Sequence, residues 1–209
     1  MGVPYAVVLL LDADTDRQIR WMWWMLDERG VPSVGTTNSG GYRPHVTLSV
    51  FDDAEAAAVE AALEATMAQV RGMPLTLSSL GFFPTPRAAA HLGVVPTRWL
   101  LGLHQHVDTV IGPLVFRRWS HYRPTAWVPH CTLATGVHDL SEVAQVVSQH
   151  RLPVHGFVHS VAVVSFTVPT RDGSRGKVRG PLALRSPAVR PARRRPAAQH
   201  RKERRGLGL

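Results

Sequence analysis

The order of apolar and polar positions along the chain predicts strands and helices that alternate. Short apolar or alternating runs, typical of strands, lie at 4–12, 42–51, 74–83, 88–95, 126–135, 159–168 and 177–185. Amphipathic or Ala-rich stretches with helix-ending glycines predict helices at 14–29, 52–72, 97–112 and 139–150. Strands and helices that follow each other in this way favour an α+β protein.

One five-residue phrase, Pro-His-x-Thr-Leu, occurs in each half of the chain. It stands in "YRPHVTLSVF" at 42–51 and in "WVPHCTLATG" at 127–136. A predicted strand and helix precede each copy, and a predicted helix and strand follow it. The repeat therefore predicts two α+β lobes related by a pseudo-twofold axis, and such symmetry can bring the two motifs face to face.

The spacing within each motif decides which residues share a face. Side chains at i and i+2 of a strand point to the same side. His45 and Thr47 therefore share one face, and His130 and Thr132 share the corresponding face of the second strand. The residues between and after them are apolar in both copies, as a core face requires.

Two imidazoles and two hydroxyls across a cleft suit chemistry at phosphorus. Imidazole titrates near neutral pH, so one neutral and one protonated histidine could act as base and acid. The hydroxyls of Thr47 and Thr132 could donate to the non-bridging phosphate oxygens. This scheme needs no metal and no cofactor. A lone histidine on a strand is more often structural, but a pair at equivalent places in a repeat favours catalysis.

The positive charge of the chain is concentrated at its end. Residues 185–209 contain nine basic residues and one acidic residue, which account for eight of the nine net positive charges. The nearly neutral body, 1–184, therefore gives no charge argument for nucleic-acid binding. We expect the Arg- and Pro-rich tail to be disordered, as a solvated segment or as a weak phosphate-binding arm.

The cysteine content and the hydropathy of the chain indicate its cellular compartment. The single cysteine, Cys131, excludes an internal disulfide, and its position in the motif predicts an inert thiol that faces the core. No apolar run approaches the ~18 residues of a bilayer span, and no secretory signal is evident. We expect a cytoplasmic protein that does not engage a membrane.

The paired "PHVTL" and "PHCTL" motifs resemble those of the two-histidine (2H) phosphoesterase superfamily, and within it the bacterial 2′-5′ RNA ligase-like, RNA 2′,3′-cyclic phosphodiesterase group. The segment "LSSLGFFPTPRAAAHLGVVP" is similar to that family's strand-loop-strand, and the resemblance covers 4–184. It implies a bilobal fold with two antiparallel sheets flanked by helices around a central cleft.

The resemblance also implies an activity: metal-independent opening of 2′,3′-cyclic phosphate ends of RNA or nucleotides to 2′-phosphomonoesters. By motif position, His45 and His130 would be the catalytic pair, with Thr47 and Thr132 as phosphate holders. Which histidine is acid and which is base stays open. A 2′-5′ RNA ligase, a small cyclic-nucleotide phosphodiesterase and a non-catalytic RNA-binding protein are the alternatives, and we expect a monomer.

Four further residues are substrate-binding hypotheses. The guanidinium groups of Arg43 and Arg123 could hold a phosphate or a base, and Tyr42 and Phe83 could stack on a base. His104 and His106 diverge on a helix and cannot share a metal ion. The remaining histidines, His91 among them, are expected to be structural or exposed.

Overall fold

The computed structural model of the chain describes residues 4–38, 41–84 and 88–165. Seven strands, five α-helices and two short 3-10 helices, Gly112–Leu114 and Ser120–Tyr122, lie in these ranges. The strands are β1 (Tyr5–Leu11), β2 (His45–Ala54), β3 (Pro74–Phe83), β4 (Ala89–Val94), β5 (Val115–Arg118), β6 (His130–Thr135) and β7 (Val154–Ser165). The helices are α1 (Ala13–Glu28), α2 (Val34–Thr37), α3 (Ala56–Val70), α4 (Arg98–Ile111) and α5 (Leu140–Gln149). The predictions for 166–168, for a strand at 177–185 and for the tail 185–209 fall outside the described residues.

All strand pairs are antiparallel, in the order β5-β2-β1-β7-β3-β4-β6. The long strand β7 joins two halves of the sheet. Its residues 154–157 pair with β3, and its residues 158–165 pair with β1. The two predicted antiparallel sheets are thus present and are continuous through this one strand.

The predicted internal repeat is confirmed by the topology. The path β1-α1-β2-α3-β3 in the first half corresponds to β4-α4-β6-α5-β7 in the second. Each motif strand pairs with the first strand of its own half, β2 with β1 and β6 with β4. The two halves meet where β3 pairs with β7, so the pseudo-twofold axis passes between these strands.

Apolar side chains of four helices pack against one face of the sheet. One core cluster joins buried residues of α1, α3, α4 and α5, among them Met22, Leu63, Val107 and Val146, to the strands. On the opposite face, the described residues form a smaller apolar cluster of Ala6, Val8, Val50 and Ala162, with further partly buried apolar side chains packed against it. The opposite face is therefore the one on which polar side chains of the strands can meet a substrate. No helix within the described ranges is both long enough and apolar enough to cross a bilayer.

Helix α3 begins later than the sequence pattern predicts. Asp52 and Asp53, expected to open the helix, instead extend β2. Asp53 pairs with Phe116 of β5, and the indole of Trp119 donates to Asp52 Oδ1 at 2.7 Å. The four-residue strand β5 and the four-residue helix α2 were not predicted, because elements so short have no readable period.

Strand β7 begins at Val154, five residues before the predicted start. Gly156 interrupts the pattern there because α1 packs directly upon it. A Cβ at this position would lie 1.9 Å from Thr15 Oγ1. The Asp12 carboxylate, which caps α1, also accepts a hydrogen bond from Phe157 N at 2.7 Å. A glycine in a strand thus marks a close approach between elements.

Candidate active site

The two motif histidines have the same local geometry. Nδ1 of His45 lies 2.7 Å from the carbonyl oxygen of Arg43, and Nδ1 of His130 lies 2.7 Å from that of Val128. A carbonyl can only accept, so Nδ1 carries the hydrogen in both rings. Nε2 is therefore the atom with which each imidazole can accept or release a proton. Both rings are half-buried at the start of their strands.

The curvature of the sheet brings β2 and β6 together although they are not neighbours in the strand order. The backbone of His45 interacts with the thiol of Cys131, the residue after His130. A positive charge on His130 also lowers the pKa of His45, in keeping with the contact between the two motif strands. The two motifs therefore share one site.

Burial is the main influence on both imidazoles. It lowers the pKa of His45, and a charge on His130 lowers it further, whereas the hydrogen bond to Arg43 opposes this. Burial also lowers the pKa of His130, against the hydrogen bond to Val128. Both rings are thus predominantly neutral at pH 7 in the free protein, and a bound anion would favour their protonation.

Thr47 and Thr132 are half-buried, whereas the alternate residues Val46, Leu48, Cys131 and Leu133 are buried in the core. Each threonine thus lies on the open face with its histidine, as the spacing predicts. Burial raises the pKa of the Cys131 thiol to about 12, which agrees with the expected inert, core-facing cysteine.

The neighbours of the two motifs differ between the halves. On β1, Val8 pairs with Thr47 and Leu10 pairs with His45. On β4, His91 pairs with Thr132 and Gly93 pairs with His130. An apolar residue in the first half thus corresponds to His91 in the second. In the part of the chain that the structure describes, a third imidazole therefore lies beside the second motif and has no counterpart on β1 beside the first.

His91 is buried beside His130, a placement that the sequence reasoning did not single out. Its ring centroid lies 5.0 Å from that of His130 and 4.2 Å from that of Phe83, on which it stacks. Burial, and then the charge of His130, lower the pKa of His91 to about 4. Its Nδ1 has no hydrogen-bond partner of good geometry among the described residues, although the carbonyl of Ala89 favours a proton there. The period of two along β4 is the signal that could have found it.

The two predicted aromatic residues each contact a motif histidine. The ring of Phe83 meets His130 edge-on, with centroids 4.9 Å apart, and Tyr42 meets His45 in the same way at 5.1 Å. Burial raises the pKa of Tyr42, and negative charge on Cys131 or Tyr122 would raise it further. Burial also raises the pKa of Tyr122. Both phenols therefore stay protonated and can donate hydrogen bonds. Tyr122 was not among the predicted residues.

The two predicted arginines lie in different settings. Arg43 bonds through Nε to Asp16 Oδ1 of α1 at 3.0 Å, and its side chain is 35% exposed. The backbone carbonyl of Arg43 accepts the Nδ1–H hydrogen bond that orients the ring of His45. Nε of Arg123 lies 3.9 Å from Asp108 Oδ1 on α4. The guanidinium of Arg43 is thus directed to α1 and that of Arg123 to α4, and only the backbone carbonyl of Arg43 contacts His45.

These features define a class of protein: a two-histidine phosphoesterase fold, in which two His-x-Thr strands meet on the open face of a curved antiparallel sheet. The family model of the 2′-5′ RNA ligase superfamily matches residues 18–169, so the chain belongs to that superfamily of phosphoesterases and ligases.

Solved structures agree with this assignment at the level of the fold. E. coli LigT in its apo form is 20% identical, with a TM-score of 0.54, and the match covers 86% of this chain and 94% of LigT. E. coli LigT complexed with 3′-AMP is 20% identical, with a TM-score of 0.54 and coverage of 87% and 96%. No curated protein matches the chain significantly.

Proposed function

We propose that this protein is a metal-independent phosphoesterase that opens 2′,3′-cyclic phosphate ends of RNA or nucleotides to 2′-phosphomonoesters. The single observation that carries the proposal is that both imidazoles make the same hydrogen bond through Nδ1. Each donates Nδ1–H to a carbonyl two residues earlier, which leaves two Nε2 atoms for proton transfer in one site. A cyclic phosphodiester needs one proton removed and one supplied, on opposite sides of phosphorus.

The reaction then proceeds with one histidine neutral and the other protonated. The neutral Nε2 removes a proton from a water molecule while the oxygen of that water forms a bond to phosphorus. The protonated Nε2–H gives its proton to the 3′-oxygen as the P–O3′ bond breaks. The phosphate remains on the 2′-oxygen, and the two histidines have exchanged protonation states. The hydroxyls of Thr47 and Thr132 donate to the non-bridging oxygens, where charge increases.

The substrate itself would create the singly protonated pair. Burial lowers the pKa of both His45 and His130 in the free protein. A bound phosphodiester anion favours the charged form of an imidazole. Repulsion between two positive charges in one site opposes protonation of both, so binding is expected to add one proton to the pair.

We also propose roles for the residues around the pair. Phe83 and Tyr42, each edge-on to a motif histidine, are suited to border a nucleobase. The guanidinium of Arg43 is paired with Asp16, and we propose that it adds positive charge near the phosphate from that position. Arg123 is proposed as an outer contact, because Asp108 holds it towards α4. A nucleotide-like ligand is also supported by LigT, which has been solved with NADP+ and with 3′-AMP.

The experiment is turnover of 2′,3′-cyclic AMP in EDTA, with the 2′ and 3′ monoesters separated by chromatography. We expect 2′-AMP, and a loss of kcat of about 10²–10⁴-fold in His45→Ala and His130→Ala. His159→Ala, which changes an exposed histidine on β7, is the matched control. Circular dichroism checks the fold of each variant. Absence of monoester, or formation of the 3′ isomer alone, contradicts the proposal.

A further inference from the structure

Two tryptophan side chains donate hydrogen bonds between the halves of the molecule. Trp23 on α1 donates Nε1–H to the carbonyl oxygen of Thr132 at 3.2 Å. Trp127, which precedes β6, donates Nε1–H to the carbonyl oxygen of Thr47 at 2.9 Å. Each donor lies in one half, and each acceptor is the motif threonine of the other half. The two bonds thus cross between the motif strands.

We propose that Trp23 and Trp127 are positioning residues that set the separation of the two His-x-Thr motifs. This inference rests on the proposed function, in which both motifs act on one phosphate. Neither tryptophan is a motif residue, and neither was predicted from the sequence. Their role is to hold the strands that carry the histidines and threonines.

The motif segments need such donors because no strand of the described residues runs along the full outer edge of either one. Strand β5 pairs with β2 only from Phe51 onward, beyond Thr47. Strand β6 ends the described sheet, and Ser33 forms a single isolated bridge to it at Ala134. A buried carbonyl without a donor is costly, so the indole N–H groups supply what a strand would otherwise provide.

Both indole rings are held firmly in place. Trp23 is 3% exposed, and the chain packs so closely upon it that a Cβ at Gly35 would lie 2.6 Å from its Cε3. Trp127 is 8% exposed and stacks on His104 with a centroid distance of 3.9 Å and an interplanar angle of 1°. Because the rings cannot swing, each N–H confines the threonine carbonyl to a narrow range of positions.

A shift of either carbonyl would move the whole motif. Thr47 is two residues from His45 on one strand, and Thr132 is two residues from His130 on the other, so each pair moves with its backbone. A displacement of about 1 Å at reacting groups can reduce a rate by about 10²-fold. The crossed indole bonds thus couple the packing of α1 and of the segment before β6 to the geometry of catalysis.

The test uses Trp23→Phe, Trp127→Phe and the double variant, which keep an aromatic ring and remove the N–H. Trp24→Phe is the matched control, since Trp24 is the next residue of α1 and is 55% exposed. On 2′,3′-cyclic AMP at a temperature where every variant is folded, we expect kcat to fall about tenfold in each single variant and at least about a hundredfold in the double variant. KM should rise as well, by no more than about tenfold, because the threonines that stabilise the transition state also hold the phosphate in the ground state.

The affinity for inorganic phosphate, measured by calorimetry, gives a second readout that does not depend on turnover. We expect it to weaken about tenfold in each single variant, because the two threonines no longer converge on one anion. A lower melting temperature with kcat and phosphate affinity within twofold of Trp24→Phe would overturn the proposal. If the wild-type protein does not turn over a cyclic phosphate, the proposed function fails. Phosphate affinity then decides the positioning role: weaker binding in both variants supports it, and unchanged binding overturns it.

Discussion

Gly81→Ala should disturb the site through His91 without touching a motif residue. Gly81 pairs with His91 across β3 and β4, and a Cβ built on Gly81 would lie 2.2 Å from His91 Nε2 and 2.7 Å from its Cε1. Ordinary van der Waals contact begins at 3.4 Å, so the imidazole must move by more than 1 Å. The stacked ring of Phe83 and the ring of His130 limit where it can go.

The magnitude follows from this overlap. Forcing one extra methyl into a packed site costs about 1–3 kcal/mol of unfolding free energy. If the shift passes from His91 to His130, a misplacement of about 1 Å lowers kcat by about 10²-fold. Gly102→Ala is the matched control, because a Cβ there meets nothing within 4 Å on α4. That change should stabilise the protein by about 0.5–1 kcal/mol, as alanine does in place of glycine in a helix.

The assays are urea unfolding and turnover of 2′,3′-cyclic AMP, with His91→Ala and the double variant Gly81→Ala/His91→Ala completing a cycle. Removing the imidazole removes the overlap, so Gly81→Ala should cost less than about 0.5 kcal/mol in the His91→Ala background. A Gly81→Ala protein with wild-type stability and kcat would refute the reasoning. An equal cost in both backgrounds would show that the methyl group clashes with something other than His91.

Three further predictions follow from the titrating groups. Because the pKa of His91 is lowered to about 4 when folded, from 6.5 as the ordinary value, the unfolded chain binds the proton more readily. Stability should therefore fall as the pH drops from about 6.5 towards 4, by on the order of 2 kcal/mol, and urea unfolding of His91→Phe should show a smaller loss. Phosphate binding should take up a proton, because the pKa values of His45 and His130 are lowered in the free protein. Affinity should rise as the pH falls below about 6.5, the ordinary pKa of an imidazole. Calorimetry in buffers of different ionisation enthalpy measures the proton uptake, and an unchanged affinity would contradict it. The thiol of Cys131, buried and with its pKa raised to about 12, should react with a disulfide reagent only after unfolding in urea, and rapid reaction in the native protein would be inconsistent with its placement.

Much of the fold was predictable because strong local patterns carry it. The buried run of β1, the helix ended by Gly30 and the two motif strands were all predicted at the level of the element. The exceptions have physical causes. Asp52 and Asp53 are of a residue type that is common at the start of helices. The pairing of Asp53 with β5 and the hydrogen bond from the Trp119 indole to Asp52 keep both residues in β2. The first residues of β7 were not predicted because Gly156 interrupts the strand pattern. Glycine is needed at this position because α1 packs too closely for a Cβ.

The sequence by itself determined which residues share a face. A period of two places His45 with Thr47 and His130 with Thr132, and this depends only on local backbone geometry. The tertiary structure alone decided that the two faces converge and that His91 lies beside His130. It also decided that Trp23 and Trp127 cross between the halves. The Nδ1–carbonyl bonds join residues two apart and are set by the local backbone at the start of each motif strand. The other contacts join residues far apart in the chain, and they exist because β7 pairs with both β1 and β3 and the sheet curves around the site.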